Sequence, residues 1–223
     1  MRLTNSELNL QLELQENEVT VLILENPAVF SEAIVSLMRA QTGEETDFVL
    51  SDCQKILSFA KEMEMITDPF LLDLNNRKVL QRLYKEWSTE ANELTEEKAR
   101  INTLIVDVLS KLQMRSFCGD VTFNLELSWE DIFKLYQVCF EKEYSSILEK
   151  LISYLKIVSG LLGIHVLVLV NVKTYLTKSE LEQFYAMAFY CKVHLILLEN
   201  REGERMEQEK VYIVDRDRCL IIK

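Results

Sequence analysis

The sequence predicts an α/β protein in which a mainly parallel sheet forms a head and a long-helix leg is inserted between its two halves. Three continuous apolar runs of strand length, at 19–24, 165–170 and 193–198, carry the first half of this reading. They are rich in Val, Ile and Leu without strict alternation, which suits strands covered on both faces by helices. Between the second and third runs, Leu181, Phe184, Tyr185, Ala188 and Phe189 recur at helical spacing. Thr177 or Ser179 serves as an N-cap, and the whole makes a βαβ unit with a right-handed crossover. From about Asn76 to Met114 the pattern changes to apolar steps of three and four, the signature of the leg.

Taken in chain order, the first run leads through Pro27, which suits a first helical turn, into a stripe of Phe30, Ile34, Leu37 and Met38. Residues 47–52 and 62–68 are further strand candidates. Leu83, Trp87, Ala91, Leu94, Ile101, Ile105, Val108 and Leu112 then predict one helix of roughly 50–60 Å at 1.5 Å per residue, longer than a compact core requires. A second amphipathic run, from Tyr144 through Ile147, Leu148, Leu151, Leu155 and Val158 to Leu162, returns along it. VYIV-DRDR-CLII at the end reads as a hairpin that closes the sheet. The head is accordingly assigned to 1–75 and 163–223, and the leg to 76–162.

With 223 residues, 48% of them hydrophobic, and only five Gly and two Pro, the chain has enough apolar mass and few enough breakers to exclude a disordered or loop-rich protein. Cys53, Cys118, Cys139, Cys191 and Cys219 contain no C-x-x-C pair and read as free thiols of a reducing compartment. MRLTNSELNLQLEL has no signal-peptide core, and no stretch approaches the ~20 apolar residues of a membrane helix, so a soluble cytoplasmic protein is expected. The net charge of −11 argues against a uniform nucleic-acid-binding surface. That charge is concentrated: residues 1–70 hold 13 acids against 4 bases, leaving 23 acids and 21 bases for the rest. The later two thirds can present a basic face if the fold segregates the signs.

A phosphate-binding loop is absent from the first strand-helix junction, because ENPAVFSEA has neither glycine nor lysine and Glu25 repels phosphate. Asn171 follows VLVLV where a magnesium-organising Asp would stand, so no nucleotide is expected. His165 and His194 fall in apolar strands without a G-x-S-x-G partner, which leaves no nucleophilic triad. Asp120, Glu126, Glu130 and Asp131 form the best carboxylate cluster. Spacing alone does not choose between a calcium site and a solvated helix start. EKEYSSILEK and ENREGERMEQEK read as solvated faces or loops. Lys173 and Lys178 follow the end of a central strand, where open α/β sheets bind ligands, and Lys134, Lys142, Lys150 and Lys156 lie along helices that can line a shared surface.

HVLVLVNVKTYLTKSELEQF, VHLILLENRE and VYIVDRDRCLII together resemble the fourth, subtype-defining protein family of type II-A CRISPR-Cas loci, sometimes written Csn-two. The order of elements is similar over nearly the whole length. The resemblance implies a fold related to P-loop nucleotide hydrolases but lacking the phosphate loop, and a non-catalytic homotetrameric ring with a basic hole. It implies sequence-nonspecific binding of double-stranded DNA ends, with calcium, alongside the CRISPR integrase and effector proteins during spacer acquisition. Lys173, Lys178, Lys134, Lys142 and Lys156 are the DNA-binding candidates. Asp120, Glu126, Glu130 and Asp131 are the metal candidates, in an acidic stretch that Cys118, Phe123 and Trp129 interrupt. The competing readings are an inactive nucleotide-hydrolase-like module that binds only protein partners through the long helix and Trp87, and a metal-dependent nuclease using Asp120 and Glu130.

Overall fold

The structure, a computed structural model, describes residues 1–53, 55–117 and 121–223. The chain divides into two compact units, Met1–Leu74 with Glu143–Lys223, and Asn75–Lys142. The first unit begins with β1 (Arg2–Asn5), β2 (Leu10–Glu13), β3 (Val19–Leu24), α1 (Pro27–Thr42), β4 (Phe48–Asp52), β5 (Lys55–Ile56), a single turn α2 (Phe59–Glu62) and β6 (Met63–Ile66). The second holds α3 (Arg77–Glu90), α4 (Thr95–Arg115) and α5 (Trp129–Leu135). The first resumes with α6 (Ile147–Lys156), β7 (Val166–Val170), α7 (Lys178–Tyr190), β8 (His194–Glu199), β9 (Glu209–Val214) and β10 (Leu220–Ile222).

Six strands form the main sheet in the order β10-β9-β3-β8-β7-β6. All neighbours are parallel except β10, which pairs antiparallel with β9. Every residue of β3 and of β7 is buried, which is why neither run alternates. In register, Leu22 lies between Leu198 and Tyr212, and this face shares one core with Val29, Ala33 and Leu37 of α1. Each Leu or Val fully buried there contributes about 1.5–3 kcal/mol relative to exposure. On the other side α7 packs against β8 and α6. Thr177 caps α7 in a reciprocal box with Glu180, so the first of the two expected caps is used.

A second, four-stranded antiparallel sheet, β2-β1-β4-β5, adds Leu3, Leu10, Leu12, Phe48 and Leu50 to that core. The sequence reading did not assign β1 and β2, although Leu10, Leu12 and Leu14 alternate with polar residues as a half-buried strand requires.

Two expectations about the helices are corrected. The long helix from 76 to 114 is interrupted by a tight turn at Ala91–Glu93, with Leu94 outside helical geometry at ψ 48°. No Gly or Pro marks the break, so the apolar stripe runs across it unsignalled. The 144–162 run belongs to the unit that holds the sheet, which moves the boundary from 162 to 142. Its helix buries Leu148, Leu151, Tyr154 and Leu155, then loosens into a wider turn, Ile157–Leu161, before Gly163 reverses the chain at φ 65°.

Within the second unit, Phe133 of α5 is enclosed by Tyr84, Trp87 and Trp129 at ring separations of 5.9, 5.7 and 6.2 Å. Asn75 closes this unit by exchanging two hydrogen bonds with the Phe140 backbone. α4 buries none of its residues, and Ile101, Leu104, Ile105, Val108 and Leu112 are exposed along it. Among the described residues, no helix is long and apolar enough to cross a membrane.

Candidate functional site

The junctions at the C-terminal ends of β3 and β7 are occupied by the protein's own groups. After β3, the Asn26 side chain accepts the Ala28 N–H at 3.0 Å, and Glu25 donates its N–H to the Val214 carbonyl. After β7, Asn171 takes the left-handed conformation at φ 51°, which Asn tolerates better than most residues. Its Oδ1 accepts the Asn200 N–H at 3.2 Å and ties the ends of β7 and β8 together.

Lys173, expected to reach a ligand, points inward instead. Its side chain is only 13% exposed, and Nζ donates to Glu209 Oε2 at 2.9 Å and to the Glu204 carbonyl at 2.7 Å. Glu209 is fully enclosed, and its carboxylate also accepts the Tyr185 hydroxyl at 2.6 Å and the Met206 N–H at 3.0 Å. Burial, reinforced by the Glu209 charge, pushes the Tyr185 phenol far up, so the hydroxyl stays a donor. Glu199 completes the group by accepting the Lys173 N–H at 3.2 Å. Burial pushes its carboxyl up to about 7, against the opposing pull of the Lys173 N–H and ammonium. Two buried carboxyl groups are therefore held by one lysine, Glu209 by its ammonium and Glu199 by its backbone N–H. Glu199 and Glu209 belong to the run read from sequence as solvated, which is corrected at these two positions: they are 4% and 2% exposed. The parity of Glu209 with buried Val211 and Ile213 was the signal available for it.

The other predicted cations are at the surface. Lys178 pairs with Glu204 at 2.5 Å, which raises its pKa, and Lys134 lies 3.8 and 3.9 Å from Glu130 and Asp131. Lys142 and Lys156 are exposed, and their side chains have no ion-pair partner among the described residues. Lys150 is turned to the Phe70 carbonyl at 2.9 Å. Of the histidines, His165 stands 2.7 Å from Glu62, and His194, held low chiefly by burial, faces the Gln15 carbonyl. Cys53, Cys139, Cys191 and Cys219 are free thiols.

The three described acidic candidates are engaged or placed separately. Asp120 and Cys118 lie outside the described residues. Asp131 receives the Ser128 hydroxyl and gives that oxygen its own N–H at 3.1 Å, a helix-capping arrangement, while Glu130 shares Lys134 and Glu126 is exposed. Among the described residues, no three His, Cys, Asp or Glu side chains are gathered where they could hold a metal ion. Any effect of millimolar calcium on native mass or melting temperature is therefore expected to persist in Glu130→Gln/Asp131→Asn. Its loss in that variant would restore these two as ligands.

Fold and site together define a mainly parallel α/β protein with a helical insertion. Residues 41–218 match the family model described as CRISPR-associated protein (Cas_Csn2), and the chain belongs to that family. It is 23% identical to a CRISPR-associated protein Csn2 of Streptococcus agalactiae over 92% of this chain and 91% of that one. A CRISPR-associated protein Csn2 of Enterococcus faecalis is also 23% identical, over 82% of this chain and 83% of its own. The crystal structure of Stu0660 of Streptococcus thermophilus has the same fold at a TM-score of 0.59 and 13% identity, covering 96% of this chain and 75% of that one.

Proposed function

We propose that this protein acts in CRISPR spacer acquisition by holding the ends of linear duplex DNA, without sequence preference and without catalysis, as a homotetrameric ring. Membership of the CRISPR-associated family is the observation that carries the reading. The absence of chemistry rests on the β3–α1 junction, where Asn26 occupies the first helical amide and Glu25 stands in place of a phosphate-cradling glycine. A parallel sheet with a helix leaving its central strand is the skeleton of P-loop nucleotide hydrolases, and this chain is read as a relative that has lost the loop. Lys142 and Lys156 are read as phosphate contacts because they are exposed and have no ion-pair partner among the described residues, and Lys178 can exchange Glu204 for phosphate; Lys173 is committed inside the fold. A symmetric ring concentrates a few lysines per subunit into one channel while its outside stays acidic.

Competition binding tests this. A linearised plasmid is expected to compete well for the protein and the relaxed circle poorly, with affinity falling steeply as salt rises. Replacing Lys142, Lys156 and Lys178 by Ala is expected to flatten the log-log salt slope by roughly 0.9 for each phosphate no longer neutralised. Equal competition by circle and linear form would remove the threaded ring. The exposed apolar row of α4 favours the second reading, an inactive hydrolase-like module that docks only proteins. Failure to retain any duplex DNA at low salt would select it.

A further inference from the structure

β8 and β9 lie on either side of β3 and all three run parallel, so the chain must return from the C-terminal end of β8 to the start of β9 across β3. Such a return normally takes a dozen or more residues and carries a helix. Here residues 200–208 make it with neither helix nor strand. They pass beside Val21, Ile23 and Val211 of the sheet, and Met206 is the one buried side chain among them. A segment that buries so little apolar area has little to hold it in place. Much of what does hold it is cationic. Lys173 Nζ donates to the Glu204 carbonyl at 2.7 Å, Lys178 grips the Glu204 carboxylate at 2.5 Å, and Lys223, beyond β10, grips Glu202 at 2.6 Å. Glu202 and Glu204 are separated by Gly203 alone, so their Cα atoms stand at most about 7 Å apart. One short stretch of backbone thus offers two lysines a pair of anions, as successive phosphates of a nucleic-acid strand do.

We propose that residues 200–208 form an acidic strap that occupies two phosphate-binding lysines, Lys178 and Lys223, and that duplex DNA engages these lysines by displacing Glu204 and Glu202. The inference rests on the DNA-end reading above and adds Lys223 to its contacts. Both ion pairs are exposed at the surface, where such a pair holds by a factor of only a few, so the carboxylates are exchangeable. Lys173, enclosed with Glu209, keeps its hold on the Glu204 carbonyl, and the exchange moves the acidic side chains without dismantling the sheet. A small anion replaces one carboxylate, whereas a duplex supplies both partners at once. The strap therefore selects an extended polyanion.

Filter binding of a linear duplex at a fixed low salt concentration tests this. Glu202→Gln/Glu204→Gln is expected to bind about three-fold or more tightly than wild type, the gain from releasing two exposed pairs. The control Glu182→Gln/Glu207→Gln removes the same charge from two exposed acids, one a helical turn from Lys178 and one in the strap, neither within ion-pair distance of a lysine among the described residues. It is expected to stay near wild type. In a Lys178→Ala/Lys223→Ala background the gain from Glu202→Gln/Glu204→Gln is expected to vanish. Equal gains in the two glutamine variants, or a gain that survives without the lysines, would reduce the effect to general charge and overturn the strap. No gain in Glu202→Gln/Glu204→Gln, with wild type still binding, would overturn the strap and leave the DNA-end reading standing. Failure of wild type to bind any duplex would remove that reading and the strap together.

Discussion

Lys173→Met is expected to lower folding stability by about 3–5 kcal/mol, the range for removing one partner of a buried ion pair. The ammonium it deletes holds Glu209, whose side chain is fully enclosed, and draws the Glu204 carbonyl down onto the sheet. Without it, two buried carboxyl groups face one another, supported only by Tyr185 and backbone amides. The penalty comes from the charge left behind, so Glu209→Gln in the Lys173→Met background is expected to recover a large part of the loss. Urea unfolding of the two single variants and the double variant closes the cycle. Additive losses would show that Lys173 contributes packing alone. The same geometry bears on DNA binding: a Lys173 variant that fails to retain DNA is expected to do so together with a lowered unfolding midpoint, whereas substitution of Lys142 or Lys156 leaves the midpoint unchanged.

The parallel core was legible because burial on both faces removes polar residues from a strand, and β3, β7 and β8 read as unbroken apolar runs. β4, β6 and the β9–β10 hairpin also lie where alternation and turn residues place them. Periodicity failed where it was continuous across a break. Leu94 carries the apolar stripe through the turn that separates α3 from α4, and only backbone geometry marks it. It failed again at 144–162, since an amphipathic stripe reports that a helix has a covered face but not which element covers it. The candidate site was less legible for a related reason. Lysine and glutamate are almost always exposed, so a sequence reading sends Lys173 outward and Glu199 and Glu209 into solvent. Their burial depends on meeting one another from β8, β9 and the turn after β7, a three-way contact across 36 residues that local spacing does not encode.

Glu199→Gln is expected to stabilise the protein at pH 8 and to leave it nearly unchanged near pH 4.5. Burial raises the Glu199 carboxyl from 4.5 to about 7, so between these values the folded state holds a proton that the unfolded chain has released. Stability from this group is therefore fully present below the unfolded value and is lost as pH rises through about 7. At 1.36 kcal/mol per pH unit the loss amounts to about 3 kcal/mol. The groups facing Glu199 set the window: the Lys173 ammonium and Arg201 favour its ionised form, while the Glu209 carboxylate opposes it. Glutamine retains the oxygen that accepts the Lys173 N–H but cannot ionise, so only the proton-linked part is removed. Urea midpoints of wild type and variant, measured from pH 5 to pH 8, are expected to diverge steadily with the variant above. Curves that stay parallel over that range would show that Glu199 releases its proton at an ordinary pKa and that the enclosure around Lys173 admits water.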